Sequence, residues 1–172
     1  MAIQTQKDTG DSYPITPAMD GAVYQTATND CVVGDVGDMF AINYSSASLN
    51  VTFNAGSEAV IGGAFFKITS LESVTLTANS TIYLCANIDL TRANGSRGKF
   101  VERTSSNMQN DNINGSGTSR DLLLYVITTN GSGVTGVTDS RYIVYNAPTI
   151  YHGSGTPSAS LGKNGDIYIQ IS

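Results

Sequence analysis

The sequence has little charge and no tryptophan. Asp, Glu, Lys and Arg together make up 13% of its 172 residues, whereas soluble domains average about 25%. Ser, Thr, Asn and Gly supply the polarity instead, as is common in extracellular and carbohydrate-facing β proteins. The net charge of -5 argues against a protein that follows phosphate groups, because nucleic-acid binders usually carry a basic surface. We expect no nucleic-acid partner.

Long apolar runs and cysteines are also scarce. No run approaches the length of roughly 18 apolar residues that a membrane-spanning helix needs, and residues 1–6 lack the basic and apolar regions of a signal peptide. We therefore expect synthesis in a cytoplasm without signal-directed export, and no membrane insertion. Cys31 and Cys85 lie in apolar surroundings and form no CxxC pair. They are expected to be small core residues, with a disulfide between them as the alternative.

Motifs of catalysis are missing as well. His152 is the single histidine, and it has no cysteine or carboxylate cluster near it, so a structural or solvent-exposed role is expected. The sequence has no GxSxG, HExxH or Walker motif. A hydrolytic site built from paired carboxylates is the alternative, because spacing in sequence says little about spacing in a β fold. Sugar-cleaving sites usually also carry aromatic platforms, however, and this chain has no tryptophan. We expect neither enzymatic activity nor a cofactor.

The sequence does show the period-two alternation of β-strands. Alternating or β-rich segments occupy residues 37–44, 48–54, 73–77 and 80–90. In the second, Leu49, Val51 and Phe53 would share one face. Glycines beside Asn, Asp or Ser supply turns, and no helical stripe is present. The pattern predicts an all-β fold, an antiparallel β-sandwich or jelly-roll-like domain, because half-buried strands must cover their apolar faces with another sheet.

Three regions divide the chain. Residues 1–19 are polar, and prolines at 14 and 17 favour extended backbone, which predicts an N-terminal arm. Residues 20–147 form the predicted sandwich domain, and residues 148–172 form a C-terminal linker and strand element. In this element, residues 166–172 alternate apolar and polar side chains after an Asn-Gly turn signal.

The C-terminal element predicts an interface. About twenty residues with one good strand cannot bury a core alone, so the segment must pair with the domain or with another subunit. Its apolar and aromatic side chains are the candidate interface residues: Tyr151, Leu161, Ile167, Tyr168, Ile169 and Ile171.

A long polar segment, residues 104–120, predicts a functional or mobile loop, because loops of this length are uncommon in compact domains. Its candidate ligand-binding residues are Asn107, Asn110, Asp111, Asn112 and Asn114. The spacing Asn110-x-Asn112-x-Asn114, with Asp121 at the twelfth position, is loosely similar to a calcium loop. A plain Asn- and Gly-rich turn is the preferred interpretation, and no metal is expected.

Charge is distributed unevenly along the chain. Residues 8–89 hold nine acids and one base, Lys67, whereas residues 90–120 hold five bases and two acids. A solvated surface explains this most simply. A contact between the acidic and basic regions of neighbouring copies is the alternative.

One sequence segment, residues 121–141, is predicted to form the structural centre of the domain. In residues 121–129, Leu122, Leu124 and Val126 would face one side and the intervening apolar residues the other, which is typical of a central strand. A Gly-rich turn and a second strand follow. Asp139 and Arg141 would close that strand as a corner held by a charge-assisted hydrogen bond.

The order and spacing of three runs carry a family resemblance. Three segments carry this resemblance: residues 55–67, 74–84 and 121–141. The chain resembles a module in tail and baseplate appendage proteins of phages that infect Gram-positive bacteria, especially streptococcal and lactococcal phages. The resemblance covers about residues 10–145. Residues 153–169 are similar to a short element of phage fibres and collagen-like tail proteins.

The resemblance implies a virion structural protein of the tail, baseplate or a fibre appendage. It implies self-assembly as a homotrimer or higher symmetric oligomer and attachment to other tail or baseplate proteins. The alternative is a receptor-binding module that recognises a host cell-wall saccharide. Tyrosines are the candidate sugar-stacking residues for that alternative: Tyr24, Tyr44, Tyr83, Tyr125, Tyr142, Tyr145 and Tyr151.

Overall fold

The computed structural model describes residues 29–145, 150–162 and 167–171. The described residues form strands and no helix, so the all-β prediction is confirmed, and none of them forms a helix that could cross a membrane. The predicted arm and Tyr24 lie outside the described residues. The strands are β1 Cys31–Val33, β2 Ile42–Ser45, β3 Ser48–Phe53, β4 Glu58–Ile61, β5 Ala64–Lys67, β6 Glu72–Thr75, β7 Thr81–Asp89, β8 Gly98–Arg103, β9 Ser119–Thr129, β10 Val134–Asp139, β11 Ile143–Val144, β12 Ile150–Gly153 and β13 Ile167–Gln170.

Three sheets surround one apolar core. Their strand orders are β10-β9-β7-β8, β11-β1-β4-β5 and β2-β3-β6, and β12 pairs separately with β13. All three sheets contribute to the core, which includes Phe53, Ile61 and Leu124 at 0% exposure. Phe53 stacks on Phe100 with ring centroids 4.4 Å apart. Most pairings are antiparallel, as half-buried strands joined by short turns favour, whereas β1 pairs with β11 and β12 with β13 in parallel.

The alternating segments fold largely as expected. The segment 48–54 is β3, where Val51 and Phe53 are fully buried and Leu49 is half-buried on the same face. The run 80–90 is β7, and the segment 73–77 corresponds to β6. Period-two alternation located β3 because one of its faces lies against the core. Strand β7 was located by its β-rich composition, since residues 84–88 are buried on both faces.

The strand predicted at 37–44 is wrong over its first half. Residues 34–40 form turns, and the strand begins at Ile42. Met39 and Phe40 have φ angles of 54° and 59°, in the left-handed region that non-glycine residues rarely adopt. Phe40 is nevertheless fully buried. The alternation there reflects a buried turn, whose backbone conformation depends on contacts from elsewhere in the chain.

The central position of β9 is confirmed, but the predicted division of its faces is wrong. Leu84 pairs with Tyr125 and Cys85 pairs with Leu123, so Leu124 is an extra residue in the ladder. This β-bulge shifts the alternation by one position. As a result, Leu124 and Tyr125 are both buried although they are adjacent, and Val126 is only half-buried.

The sequence did not predict β1, the β4–β5 hairpin or β8. The hairpin reverses at Gly62 and Gly63, which have positive φ angles of 56° and 79°. Its strands read as one apolar run broken by two glycines rather than as two alternating segments. Val60 and Phe65 are apolar although they lie on the less buried face of the hairpin, where Phe65 is 61% exposed. These side chains hide the alternation by which half-buried strands are recognised.

Both cysteines are buried and unpaired. Burial raises the pKa of Cys85 to about 12, and the neighbouring Asp121 carboxylate adds to this shift. Burial likewise raises the pKa of Cys31. The two thiols behave as small core side chains, as the sequence predicted.

Candidate functional site

The C-terminal strand pair, β12 with β13, is the most exposed apolar element among the described residues. The strands run parallel, and Ile150 pairs with Ile167. Ile171 N donates to Gly153 O at 2.9 Å, and Tyr168 Oη donates to Gly155 O at 2.8 Å. Neither strand pairs with another of the described strands.

One face of this pair is apolar and open to solvent. In a parallel ladder, residues in register share a face, so Ile150, Ile167, Ile169 and Ile171 lie together beside His152. The exposed fractions of the four isoleucines lie between 48% and 60%. Tyr151 and Tyr168 are half-buried on the opposite face. Leu161, in the connection between the strands, is 43% exposed. A two-stranded sheet with an uncovered apolar face is marginal in water.

The second candidate surface is a groove of about 1120 Å³ between three sheets. Strands β5, β6 and β8 line it, and each is the last described strand of its sheet. Edge strands leave a row of backbone N–H and C=O groups without sheet partners. The groove therefore combines an apolar cleft with the hydrogen-bonding capacity of sheet edges.

Aromatic rings form the floor of the groove and cations its rim. Phe66 and Phe100 pack edge to face with centroids 5.7 Å apart. Phe65 also lines the groove and is 61% exposed. Arg97 and Lys99 lie on the β8 side, and neither forms an ion pair with another described residue.

The Asp139 and Arg141 side chains meet at the end of β10. Arg141 Nε donates to Asp139 Oδ1 at 2.9 Å, and its Nη1 donates to Met39 O at 2.7 Å. The guanidinium also lies 5.2 Å from the centre of the Tyr125 ring, and Tyr125 Oη donates to Phe40 O at 2.8 Å. Arg141 and Tyr125 thus bind the backbone carbonyls of Met39 and Phe40, the two residues of the left-handed turn. Spacing in the sequence could not reveal these contacts.

The electrostatics of this corner follow from its contacts. Hydrogen bonds from Arg141 hold the pKa of Asp139 below its ordinary value. The same pairing raises the pKa of Arg141. Burial raises the pKa of Tyr125 to about 12, and its protonated hydroxyl donates to Phe40 O. The arrangement is suited to fixing backbone rather than to proton transfer.

The polar segment 104–118 is organised by its own side chains. Asp111 Oδ2 accepts from the backbone N–H groups of residues 118 and 119, which lowers the pKa of Asp111. Asn112 Oδ1 accepts from Asn114 N at 3.1 Å, and Asn107 Oδ1 accepts from Thr104 N at 2.7 Å. Asn110 is exposed and pairs through its backbone with Arg120. Most of the candidate ligand groups in this loop therefore serve its own fold.

Two further contacts anchor the loop to the domain. Asn114 Nδ2 donates to Gly62 O at 2.7 Å, and Ile113 is 6% exposed in the core. Among the residues that the structure describes, no group of three His, Cys, Asp or Glu side chains could hold a metal ion.

A buried ion pair behind this loop was not predicted from the sequence. The Asp121 carboxylate is 0% exposed and accepts from Arg103 Nε at 2.8 Å, Gln109 N at 2.7 Å and Asn87 Nδ2 at 2.7 Å. Residue 121 would have been the last ligand of the calcium-like pattern, but its oxygens are occupied by protein donors. The sequence around Asp121 is rich in polar residues, so nothing in it indicated that this carboxylate would be buried.

The remaining candidate side chains are scattered. Tyr44 and Tyr142 are more than half exposed, and Tyr125 is buried. Tyr83, Tyr145 and Tyr151 are half-buried, and His152 is exposed on β12. The described tyrosines therefore do not converge on one sugar-stacking platform.

A family model described as "Lactophage receptor-binding protein N-terminal shoulder domain" matches residues 6–141. The chain belongs to this family. It is also similar to the "Receptor binding protein" of Lactococcus phage SK1, with 30% identity over 126 residues. That match covers 72% of this chain and 45% of the relative. The chain thus spans less than half the length of the curated relative that it matches.

Membership of the shoulder-domain family makes the protein an all-β component of a phage tail appendage, as the resemblance implied. The family is one of structural, receptor-binding tail proteins. The matched residues contain the groove, the Asp139–Arg141 corner and the polar loop, whereas β12 and β13 follow the matched region.

Proposed function

We propose that this shoulder domain is a scaffold of the tail appendage that self-assembles into a symmetric homo-oligomer, a trimer or larger, through the C-terminal strand pair. One observation carries the proposal: the pair exposes four isoleucines on one face and hydrogen-bonds to no other described strand. Another copy of the same face would cover these side chains and stabilise both strands. In this arrangement, residues 29–145 attach to neighbouring tail or baseplate proteins.

Burial of these side chains contributes to such an assembly. Complete burial of an isoleucine side chain is worth about 1.5–3 kcal/mol, so covering the exposed half of each side chain contributes about 1 kcal/mol. The four isoleucines together contribute about 4 kcal/mol per copy, which offsets the lower end of the roughly 4–15 kcal/mol that association costs.

The test is the molar mass of the full chain in solution, measured by light scattering after gel filtration. The parent is expected to be an oligomer. Ile169→Asp places a charge in the proposed interface and should raise the dissociation constant more than about 100-fold, because a buried unpaired charge costs several kcal/mol.

The matched control is Leu71→Asp, which alters an exposed side chain of similar size, 63% exposed, away from the strand pair. It should leave the molar mass unchanged. A monomeric parent, or an Ile169→Asp variant with the parental mass, would refute the proposal.

A second candidate function is recognition of a host cell-wall saccharide. The observation in its favour is the groove, which is lined both by the Phe65 and Phe100 rings and by the hydroxyl-bearing residues Ser73 and Thr75. Sedimentation with purified host cell walls tests it. Phe65→Ala should abolish binding and Leu71→Ala should not. Equal binding by the two variants would remove the groove from consideration.

A further inference from the structure

The tripeptide Asn-Gly-Ser occurs three times in the chain, and each copy lies in a turn or loop. The copies begin at Asn94, Asn114 and Asn130. A glycine after asparagine leaves its backbone nitrogen open to attack the amide carbon of the asparagine side chain, because glycine has no Cβ to shield that nitrogen. Since the residues that react are the same in all three copies, the fold decides which copy reacts.

We infer that Asn94 is a site of spontaneous deamidation, whereas hydrogen bonds protect the other two asparagines. In this reaction the Gly95 amide nitrogen loses its proton to base in the solvent, and its electron pair forms a bond to Asn94 Cγ. The Cγ–Nδ2 bond breaks, and the nitrogen takes a proton from water and leaves as ammonia. Water then opens the resulting succinimide ring at either carbonyl, which yields aspartate or isoaspartate.

The groups that would react at Asn94 are not held by other contacts. Asn94 and Gly95 are exposed and form the centre of a turn in which Ser96 N donates to Ala93 O at 3.0 Å. Among the residues that the structure describes, neither the Asn94 side chain nor the Gly95 N–H has a hydrogen-bond partner. No atom lies within 4 Å of a Cβ built on Gly95. The side chain can therefore turn towards Gly95 N without breaking a contact, as a reactive geometry requires.

At Asn114 both reacting groups are held. Asn114 Nδ2 donates to Gly62 O at 2.7 Å, and Gly115 N donates to Asn112 O at 3.0 Å. The preceding residue, Ile113, is 6% exposed in the core. Attack at this copy requires the side chain to leave Gly62 and the Gly115 N–H to lose its acceptor, so the folded state opposes the reaction.

At Asn130 the side-chain carbonyl is held instead. Asn130 Oδ1 accepts from Ser132 N at 2.8 Å and from Gly133 N at 2.9 Å, and Ser132 Oγ lies 3.1 Å from the same oxygen. These contacts fix the orientation of the amide. The Asn130 Cγ atom can reach Gly131 N in a reactive geometry only after they break, which slows the reaction.

Deamidation at Asn94 changes the charge beside the groove. Gly95 and Arg97 line the groove, and Arg92 Nη1 donates to Arg97 O at 3.2 Å across the same turn. The new carboxylate therefore lies in a turn that carries two cations, and it lowers the positive charge of the groove rim. Isoaspartate also lengthens the backbone of the β7–β8 turn. Aged protein is thus a mixture of forms that differ at a candidate ligand-binding surface.

Peptide mapping of the full chain tests the inference. The folded protein is incubated at pH 8, and samples are digested with trypsin at intervals. Cleavage after Arg92 and Arg97 releases residues 93–97, in which mass spectrometry detects the exchange of the amide nitrogen for oxygen. Asn94 should react at least about tenfold faster than Asn114 and Asn130, because two or more hydrogen bonds must break before attack at either of those residues.

Two comparisons make the result specific. In urea, where only fluctuating local structure remains, the three rates should differ by less than about threefold. Gly95→Ala should slow the reaction at Asn94 at least about fivefold, because the added Cβ shields the attacking nitrogen, and should leave Asn114 and Asn130 unchanged. If Asn94 stays intact, or reacts no faster than the other two asparagines in the folded protein, the inference is overturned. An equally large preference for Asn94 in urea would overturn it as well.

Discussion

Single residues stabilise the least favourable backbone in this domain. The left-handed turn at Met39 and Phe40 costs about 1–3 kcal/mol per residue, and it persists because its carbonyls accept from Arg141 and Tyr125. Because Arg141 is 102 positions from Met39 in sequence, the turn depends on the folded domain. Local sequence therefore predicted a strand where tertiary contacts produce a turn.

Arg141→Met tests this dependence. The variant keeps the aliphatic stem but removes the donors to Met39 O and Asp139, and should lose about 2 kcal/mol of unfolding free energy. Urea denaturation at pH 7 measures the loss. Since Arg141 lowers the pKa of Asp139 in the folded state, the contribution of Asp139 to stability is present above about pH 4 and declines as pH falls through its folded pKa. The difference between parent and variant should narrow at acidic pH.

The control for this prediction is Arg97→Met, which removes a cation from the groove rim and should change stability by less than about 0.5 kcal/mol. Equal midpoints for Arg141→Met and the parent would show that the turn does not need the guanidinium.

The buried carboxylate of Asp121 gives a second prediction at this scale. Arg103→Met leaves that carboxylate uncompensated and should cost about 3–5 kcal/mol in urea denaturation. The double variant Arg103→Met with Asp121→Leu should cost less than the single variant, because it removes the stranded charge. Lys67→Met, at the exposed ion pair with Glu58, should cost less than about 1 kcal/mol. A double variant that is less stable than Arg103→Met would refute the account.

At the scale of elements, the alternation of apolar and polar residues and the positions of glycines predicted different parts of the fold. Strand β3 was predictable because the core covers one of its faces. Strand β7 was predictable from its run of β-forming residues, although residues 84–88 are buried on both faces. The bulge at Leu124 was not, because residues 122–127 are all apolar and a shift of one position leaves no trace in their pattern. Most of the glycines marked turns, although Gly98 lies in strand β8. Their positions did not show which turns contact each other.

Gly37 shows such a contact and gives a prediction for the turn elements. Its φ is +59°, and a Cβ there would lie 2.5 Å from the backbone carbon of Gly56. Gly37→Ala should therefore cost more than the left-handed penalty of about 1–2 kcal/mol alone. The control is Gly95→Ala, with φ of +82° and no atom within 4 Å of the added carbon. Thermal denaturation should show a distinctly larger loss of stability for Gly37→Ala than for Gly95→Ala. Equal losses would mean that the turns containing Gly37 and Gly56 move apart at no cost in free energy.

At the scale of the whole molecule, the core and the proposed assembly surface are separate. Every residue of the buried core cluster lies between Val32 and Val134, and the C-terminal strand pair adds none. Stability of the domain and association between copies should therefore respond to different changes in the chain.

Truncation after Tyr145 tests this separation. The shortened chain should keep the parental melting temperature to within about 3 °C when both are measured as monomers, because no core residue is lost. Light scattering should show that it no longer forms the oligomer. A truncated chain that fails to fold, or that still assembles, would show that core and assembly are not independent.

The sequence by itself determined the all-β class, the positions of β3, β6 and β7, the central place of β9 and the presence of a C-terminal strand. Each of these follows from the order of apolar and polar residues within a few positions. Only the tertiary structure decided the bulge in β9, the left-handed turn under Arg141, the burial of Asp121 beside Arg103 and the meeting of three sheet edges in one groove. These features join residues that lie far apart in sequence, and their energies depend on contacts that no local pattern records.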